Sequence, residues 1–467
     1  MSDVETQKYV TIIATMAAFL TPFMASAVNV ALPTIADEFS LDAISLSWVA
    51  TSYLLAAAVF LVPIGKIADI YGRKKIFTYG TVVYTVSAIL SALSPSGIAL
   101  IIFRLIEGIG GAMIFGTRLA IITSTFPFEE RGKAIGINIA AVYIGLSVGP
   151  FLGGVLTELL GWRSIFLSNV PLGIITFVYC GKLKGEWVDA KGESFDRTGS
   201  IIYSLMLIAV TTGLSFLPTE IGSGLILLGI LGVLVFLKWE LKVDAPVLDV
   251  HLIRTNRVFS FSNLAALINY CATFAVAFLL SLYLQLIKGL DPLITGLILV
   301  SQPIVMAIFS PLAGKLSDTI EPRILASSGM ALTAIGLSLF IFLTASTSLE
   351  FIVVILCLLG FGFALFSSPN TNAIMSSVEK RFYGVASGMV GTMRLIGQLL
   401  SIAIASTLFA LFIGRVQITP ETYPSFLISV HVAFIIFAIL CSVGVFASLV
   451  RGKIRDEQLV EHKIPAK

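Results

Sequence analysis

The chain has 467 residues, of which 57% are hydrophobic and 12% charged, with a mean hydropathy of +0.99 and a formal net charge of +3. Soluble domains carry about 25% charged residues, so this composition excludes an ordinary soluble domain and suits a chain dissolved in lipid, where its 39 glycines are tolerated in helices. No basic patch interleaved with aromatics addresses nucleic acid, and three His with four scattered Cys (Cys180, Cys271, Cys357, Cys441) build neither a metal site nor a disulfide framework.

A membrane-crossing helix needs about 20 mostly apolar residues. Fourteen such runs follow one another, at 10–32, 47–65, 76–94, 98–123, 134–157, 164–181, 199–217, 222–238, 258–286, 293–313, 323–344, 350–369, 383–412 and 424–449. Helix is expected throughout, because lipid leaves free backbone groups without partners and the runs are solid where a barrel strand would alternate. The first run is too long for a signal peptide and has no basic segment before it, so it stays as a helix.

Lys and Arg set the expected orientation. With both termini cytoplasmic, the inside segments hold 24 of the 30, and the outside loops hold Arg163, Lys288 and Arg415. The remaining Arg104, Arg118 and Arg394 lie within spans. This asymmetry is the positive-inside pattern of a multi-pass protein of the plasma membrane. The long inside segments at 182–198 and 239–257 bracket spans 7 and 8, which predicts six helices, an inserted pair and six more. The expected divisions are a cytoplasmic N-terminus (1–9), a six-helix bundle (10–181), a linker with the inserted pair (182–257), a second six-helix bundle (258–449) and a polar cytoplasmic tail (450–467).

Between spans 2 and 3 stands Gly65-Lys66-Ile67-Ala68-Asp69-Ile70-Tyr71-Gly72-Arg73-Lys74-Lys75. Part of it returns 249 positions later as Gly314-Lys315-Leu316-Ser317-Asp318, after span 10, which indicates a duplicated chain. Gly65 and Gly72 permit a sharp bend, and Asp69 and Arg73, four apart, can pair within one turn. Span 5 carries Gly145, Gly149 and Gly153 on one bare stripe that lets helices approach closely, with Gly154 beside it and Pro150 bending the helix. In span 4, Arg104, Glu107, Gly111 and Arg118 share one face at 100° per residue, and Glu107 and Arg118 stand about 16 Å apart along the axis. Charges inside a span face protein or a water-filled cavity. Arg104, three residues from Glu107, favours its ionised form and burial favours its neutral form.

The loop Gly65–Lys75 resembles the signature loop of the major facilitator superfamily. Fourteen spans resemble its drug/proton antiporter branch. Arg104-Leu-Ile-Glu107-Gly108 is similar to the family's helix-4 motif, which usually has Gln at the position of Glu107. Gly145-x-x-x-Gly149-Pro150-x-x-Gly153-Gly154 matches its antiporter motif. Gly161-Trp162-Arg163, Asn169-Val170-Pro171-Leu172-Gly173 and Asn29-Val-Ala-Leu-Pro33 resemble further family segments. The resemblance implies an all-α major facilitator fold, 6 + 2 + 6 helices in two pseudo-symmetric bundles around a central cavity, working by alternating access without a cofactor. It implies that Gly65, Asp69, Gly72, Arg73, Gly314 and Asp318 form gating latches between the halves, and that the span-5 stripe seals or rocks between them. Glu321-Pro322 stand where the second loop would repeat Gly and Arg, so the latch is expected to be asymmetric. Met24 stands where this branch usually carries an Asp.

The expected functions divide on charge. A proton-coupled exporter of small lipophilic compounds would use Glu107 as the proton-responsive group and Arg104 as its partner. A transporter of organic or inorganic anions would use the three in-span Arg, which outnumber the one in-span acid. Candidate cavity residues are Asn29, Met24, Arg118, Asn269, Tyr270, Gln302, Asn370 and Arg394. Asn372 is a further cavity candidate beside Asn370, and Gln285, Gln398 and His431 read as helix contacts. No P-loop supplies nucleotide binding, so an ATP-driven pump is excluded, and neither an enzyme nor a channel fits the duplicated pattern. The expected partners are the bilayer, a small molecule and protons, with the chain a monomer.

Overall fold

The computed structural model describes residues 3–243, 246–379 and 383–452. The described residues form helices and connecting segments, without strands. In chain order the helices are α1 (Asp3–Phe39), α2 (Ala43–Tyr71), α3 (Arg73–Ala92), α4 (Gly97–Thr125), α5 (Phe128–Leu160), α6 (Arg163–Lys182), α7 (Arg197–Ser215), α8 (Glu220–Glu240), the short α9 (Val250–Thr255), α10 (Arg257–Thr273), α11 (Ala275–Leu282), a π-helical turn (Tyr283–Ile287), α12 (Pro292–Leu299), α13 (Ser301–Thr319), α14 (Pro322–Phe340), α15 (Leu349–Ser376), α16 (Tyr383–Phe412) and α17 (Tyr423–Val450).

Among the described residues, thirteen helices are long and apolar enough to cross a membrane. Of the fourteen expected spans, the third is the one that falls short. α3 has 20 residues, but it opens with Arg73-Lys74-Lys75 and carries Tyr, Thr and Ser through its length. Two expected spans are broken: span 9 divides at Phe274 into α10 and α11, and span 10 divides at Val300 into α12 and α13. α1 runs to Phe39, beyond the expected end at 32, because Pro33 interrupts one hydrogen bond without ending the helix.

The chain falls into two compact units. One contains the chain to Leu248, Ala275–Val300 and Ile402–Val430; the other contains Asp249–Phe274, Ser301–Ser401 and the chain from His431. Of these divisions, the last two cut inside helices, at α16 and α17. α16 is divided because its far end is fastened within the first unit. There the hydroxyls of Ser47 and Ser406 meet at 2.7 Å, and Thr407 donates to the Leu214 carbonyl of α7 at 2.8 Å.

Within the first unit, α5 lies along α1, α4 between α2 and α3, and α6 along α3 and α1. Glycine sets these approaches. A Cβ at Gly145 would meet the Phe19 carbonyl oxygen at 2.6 Å, and one at Gly153 the Ala27 Cα at 2.8 Å. The expected seal between halves is therefore, at Gly145, Gly149 and Gly153, a contact of α5 with α1. Gly154 faces elsewhere: its Cβ would stand 2.5 Å from the Pro292 carbonyl of α12. The next turn of α12 completes that contact, since a Cβ at Gly296 would meet the Pro150 carbonyl at 2.2 Å.

Within the second unit, α15 is the central helix, packed by α14, α13 and α10. A Cβ at Gly329 would lie 2.5 Å from the Gly362 carbonyl, and one at Gly360 would lie 2.4 Å from the Gln302 carbonyl. Arg451, assigned to the tail by sequence, is buried, with Nη1 donating to the Asn370 side-chain oxygen (2.8 Å) and to Ser262 (3.2 Å). Burial pulls its guanidinium down to about 10, with Arg323 adding to the fall and Glu321 opposing it.

The α1–α5 contact leaves no room for a methyl group. Gly145→Ala should destabilise the protein by about 1–3 kcal/mol, as overpacked cores do. Ile139→Ala, at an exposed position on the same helix, should leave thermal unfolding in detergent unchanged. Equal melting of the two variants would overturn the assignment of the stripe.

Candidate functional site

The expected pair on span 4 forms. The guanidinium of Arg104 donates from Nη1 to Glu107 Oε2 at 2.9 Å and from Nε to the Val49 carbonyl at 3.2 Å. Both side chains are buried. The guanidinium carbon stands 4.5 Å from the Tyr53 ring centre and 5.9 Å from that of Phe166, so the cation is held between aromatic faces. Tyr84, whose hydroxyl donates to the Leu20 carbonyl at 3.4 Å, adjoins Glu107 from α3. Glu107 Oε1 makes no close hydrogen bond among the described residues, and the Tyr84 hydroxyl is the further polar group that interacts with this carboxyl.

The sequence of α4 explains how three helices reach this point. A Cβ at Gly108 would stand 2.4 Å from the Tyr53 carbonyl, one at Gly111 would stand 2.7 Å from the Tyr53 hydroxyl, and one at Gly110 would stand 2.6 Å from the Tyr84 backbone nitrogen. The bare face of α4 brings Tyr53 and Tyr84 against the charges. Neither tyrosine is marked by charge or spacing, and sequence reasoning missed both. The glycines were the available signal, since a bare patch beside a buried ion pair needs large side chains from its neighbours.

Arg118 is buried on the same helix, its guanidinium 5.2 Å from the Phe115 ring centre. Met24 is fully buried and faces α6, where its sulfur accepts from Asn169 Nδ2 at 3.7 Å. Asn29 is also buried; its backbone carbonyl accepts from Ser281 Oγ at 2.7 Å. Gln285 completes that junction by donating to the Val30 carbonyl at 2.8 Å and to Ser281 Oγ at 3.1 Å. In the second unit, Tyr270 lies between the Phe363 ring (5.6 Å) and the Arg394 guanidinium (5.6 Å). Asn370 is taken up by Arg451 and by the Ser262 carbonyl, to which it donates at 3.0 Å. Asn269 is fully buried, with neither side-chain polar atom bonded among the described residues. Gln302 is half-buried at the start of α13. Of the expected cavity residues, Tyr270 and Arg394 lie against one another.

In the signature loop, Arg73 Nη2 and Asp69 Oδ1 are 2.7 Å apart, as the spacing predicts. Gly72 adopts φ +119°, which favours glycine. Arg73 also reaches Asp189 at 2.5 Å and Ser124 at 2.6 Å. These partners all lie in the first unit. In the second copy, Gly314 approaches Ser368, since a Cβ there would stand 2.9 Å from its hydroxyl; the side chain of Asp318 lies outside the described residues. The Gly161-Trp162-Arg163 segment finds a partner that sequence reasoning missed. Glu38, at the end of α1, accepts from Trp162 Nε1 at 2.7 Å and pairs with Arg163 at 2.6 Å.

The sequence profile of the Major Facilitator Superfamily matches residues 14–237 and 263–465. The chain belongs to this superfamily. It is a multi-pass membrane transporter and not an enzyme. It is 30% identical to the riboflavin transporter RibZ of Clostridioides difficile over 95% of this chain and 97% of that one. It is 31% identical to the multidrug resistance protein Stp of Mycobacterium tuberculosis over 83% of this chain and 73% of that one. Among solved structures, a bacterial homolog of the human lysosomal transporter Spinster matches with a TM-score of 0.66 and 18% identity, covering 99% of both chains. That likeness supports the fold.

Removing Arg104 leaves a buried carboxylate without its counter-charge. Arg104→Ala should cost about 3–5 kcal/mol of stability, and adding Glu107→Gln should recover part of it in denaturant unfolding. A double variant no more stable than Arg104→Ala would show that the two charges are not coupled.

Proposed function

We propose that the chain is a secondary transporter that exports small lipophilic compounds in exchange for protons. The observation that carries this reading is the carboxyl of Glu107, buried in a span with one oxygen bonded to Arg104 and the other making no close hydrogen bond among the described residues, with the Tyr84 hydroxyl beside the carboxyl. A carboxylate so placed has a ready site for a proton on Oε1. Neutralising it removes the charge that holds Arg104, which keeps the Val49 carbonyl and the aromatic faces as partners. Protonation and a shift of helix packing are thereby linked. A proton moving through 100 mV supplies about 2.3 kcal/mol, enough to drive accumulation.

The names of several relatives agree with export of foreign compounds. Besides Stp, a tetracenomycin C resistance and export protein of Streptomyces glaucescens is 28% identical over 83% of this chain. The positive-inside pattern supports a plasma-membrane protein with both termini in the cytoplasm.

A second reading, transport of organic anions or of polar aromatic compounds, has its own observation. Arg394 lies inside α16 beside the ring of Tyr270 and pairs with no carboxylate among the described residues. A half-buried cation of this kind, inside a span, suits an anionic or electron-rich aromatic ligand. The relative named for riboflavin falls in line with this alternative.

Proteoliposomes with an imposed pH gradient separate the readings. Ethidium, riboflavin and benzoate are offered in turn. The first reading expects ethidium movement driven by the gradient, and its loss in Glu107→Gln. Gradient dependence that survives intact in Glu107→Gln removes the proton role from Glu107, and movement of benzoate or riboflavin alone selects the second reading.

A further inference from the structure

The connection from α6 to α7 does not hang free of the first unit. From Leu183 to Asp196 it lies along the signature loop in the opposite direction. The Arg73 amide donates to the Trp187 carbonyl at 3.0 Å, and the Ala190 amide donates to the Asp69 carbonyl at 3.0 Å. Its acids meet the loop's bases in order. Glu186 accepts from the backbone amides of Lys74 (2.7 Å) and Lys75 (3.1 Å), Asp189 pairs with Arg73 at 2.5 Å, and Glu193 pairs with Lys66 at 2.6 Å. Lys74 Nζ returns a bond to the Leu183 carbonyl. Gly72 makes the seat, because a Cβ there would stand 2.5 Å from the Glu186 side chain.

The contact is specific but shallow. From Lys184 to Phe195, Ala190 alone is buried. The side chains of Asp189 and Glu193 are 62% and 50% exposed. Exposed ion pairs hold weakly and are screened by salt. Arg73 keeps Asp69 and Ser124 if Asp189 withdraws, so it can exchange one partner without being left bare.

We propose that the segment Leu183–Asp196 is a releasable strap, which holds the signature loop in the conformation seen here and lets go of it during the transport cycle. The strap ties the loop to the inserted pair α7–α8. It occupies Arg73 and the first amides of α3, so the loop cannot engage another partner through these groups until the strap lifts. The cycle itself rests on the transporter reading above; the contact does not.

Two measurements test it. Spin labels at Lys191→Cys and Tyr79→Cys, both exposed positions, report the strap-to-α3 distance by pulsed electron paramagnetic resonance, with the labelled parent as background control. A single short distance is expected in dilute buffer. A second, longer one should appear in Glu186→Gln/Asp189→Asn and in about 1 M salt, where the screening length falls to about 3 Å. One unchanged distance under all these conditions overturns the proposal. In the second measurement, Lys66→Cys and Glu193→Cys are joined by a short reducible thiol cross-linker. Ethidium transport in proteoliposomes should stop on cross-linking and return on reduction. Undiminished transport by the cross-linked protein also overturns the strap. If the uncross-linked protein moves none of ethidium, riboflavin and benzoate, the substrate reading fails and the distance measurement still decides the strap.

Discussion

A backbone carbonyl that loses its helical partner inside a bilayer has no water to turn to. This constraint organises the polar residues of the protein. Pro33 has no amide hydrogen, so the Asn29 carbonyl four residues back is left open, and Ser281 Oγ takes that place at 2.7 Å. Other backbone carbonyls also accept from a neighbouring helix. Asn138 donates to the Ala14 carbonyl, Tyr203 to that of Ala58, Thr407 to that of Leu214 and Asn370 to that of Ser262, each from one helix to another. Such bonds average about 0.6 kcal/mol in membrane proteins, so no single one holds the fold. What they fix is register, since a helix that slides by one residue loses a carbonyl it was answering.

The charged pair on α4 obeys the same rule at higher stakes. Arg104 satisfies one oxygen of Glu107 and one backbone carbonyl, and the rings of Tyr53 and Phe166 cover the rest of the cation. The site works as a unit because α4 is bare on this side. Gly108, Gly110 and Gly111 let the backbones of α2 and α3 come within contact distance, which places the rings where larger residues on α4 would have excluded them. The glycines and the charges of the helix-4 motif are one device.

The sequence was legible wherever a physical rule acts along one helix. Hydropathy found the apolar helices, and the three- and four-residue spacings found Arg104 with Glu107 and Asp69 with Arg73. It was silent where a rule acts across helices. Nothing in the spacing around Asn29 announces that its backbone carbonyl accepts from Ser281. Nothing around Met24 announces that its sulfur meets Asn169. Gly145, Gly149 and Gly153 are visible as a stripe, but a stripe does not say which helix it meets, and here that helix is α1. Arg451 looks like the start of a polar tail because nothing in its neighbourhood announces Asn370 and Ser262, 81 and 189 residues away.

The two copies of the signature loop differ for a reason that lies at the start of the following helix. A helix N-terminus presents unbonded amides and the positive end of the dipole. α14 begins with Pro322, which has no amide to leave open and whose fixed φ suits a first helical position. α3 begins with Arg73, Lys74 and Lys75, so it opens with free amides and adds three positive charges to the end that is already positive. Such a start requires acceptors and acids from outside the helix, and Glu186 and Asp189 supply both. The acidic connection after α6 is therefore the electrostatic complement of the first loop, whereas α14 opens with one amide fewer and a single Arg323 in place of three consecutive basic residues.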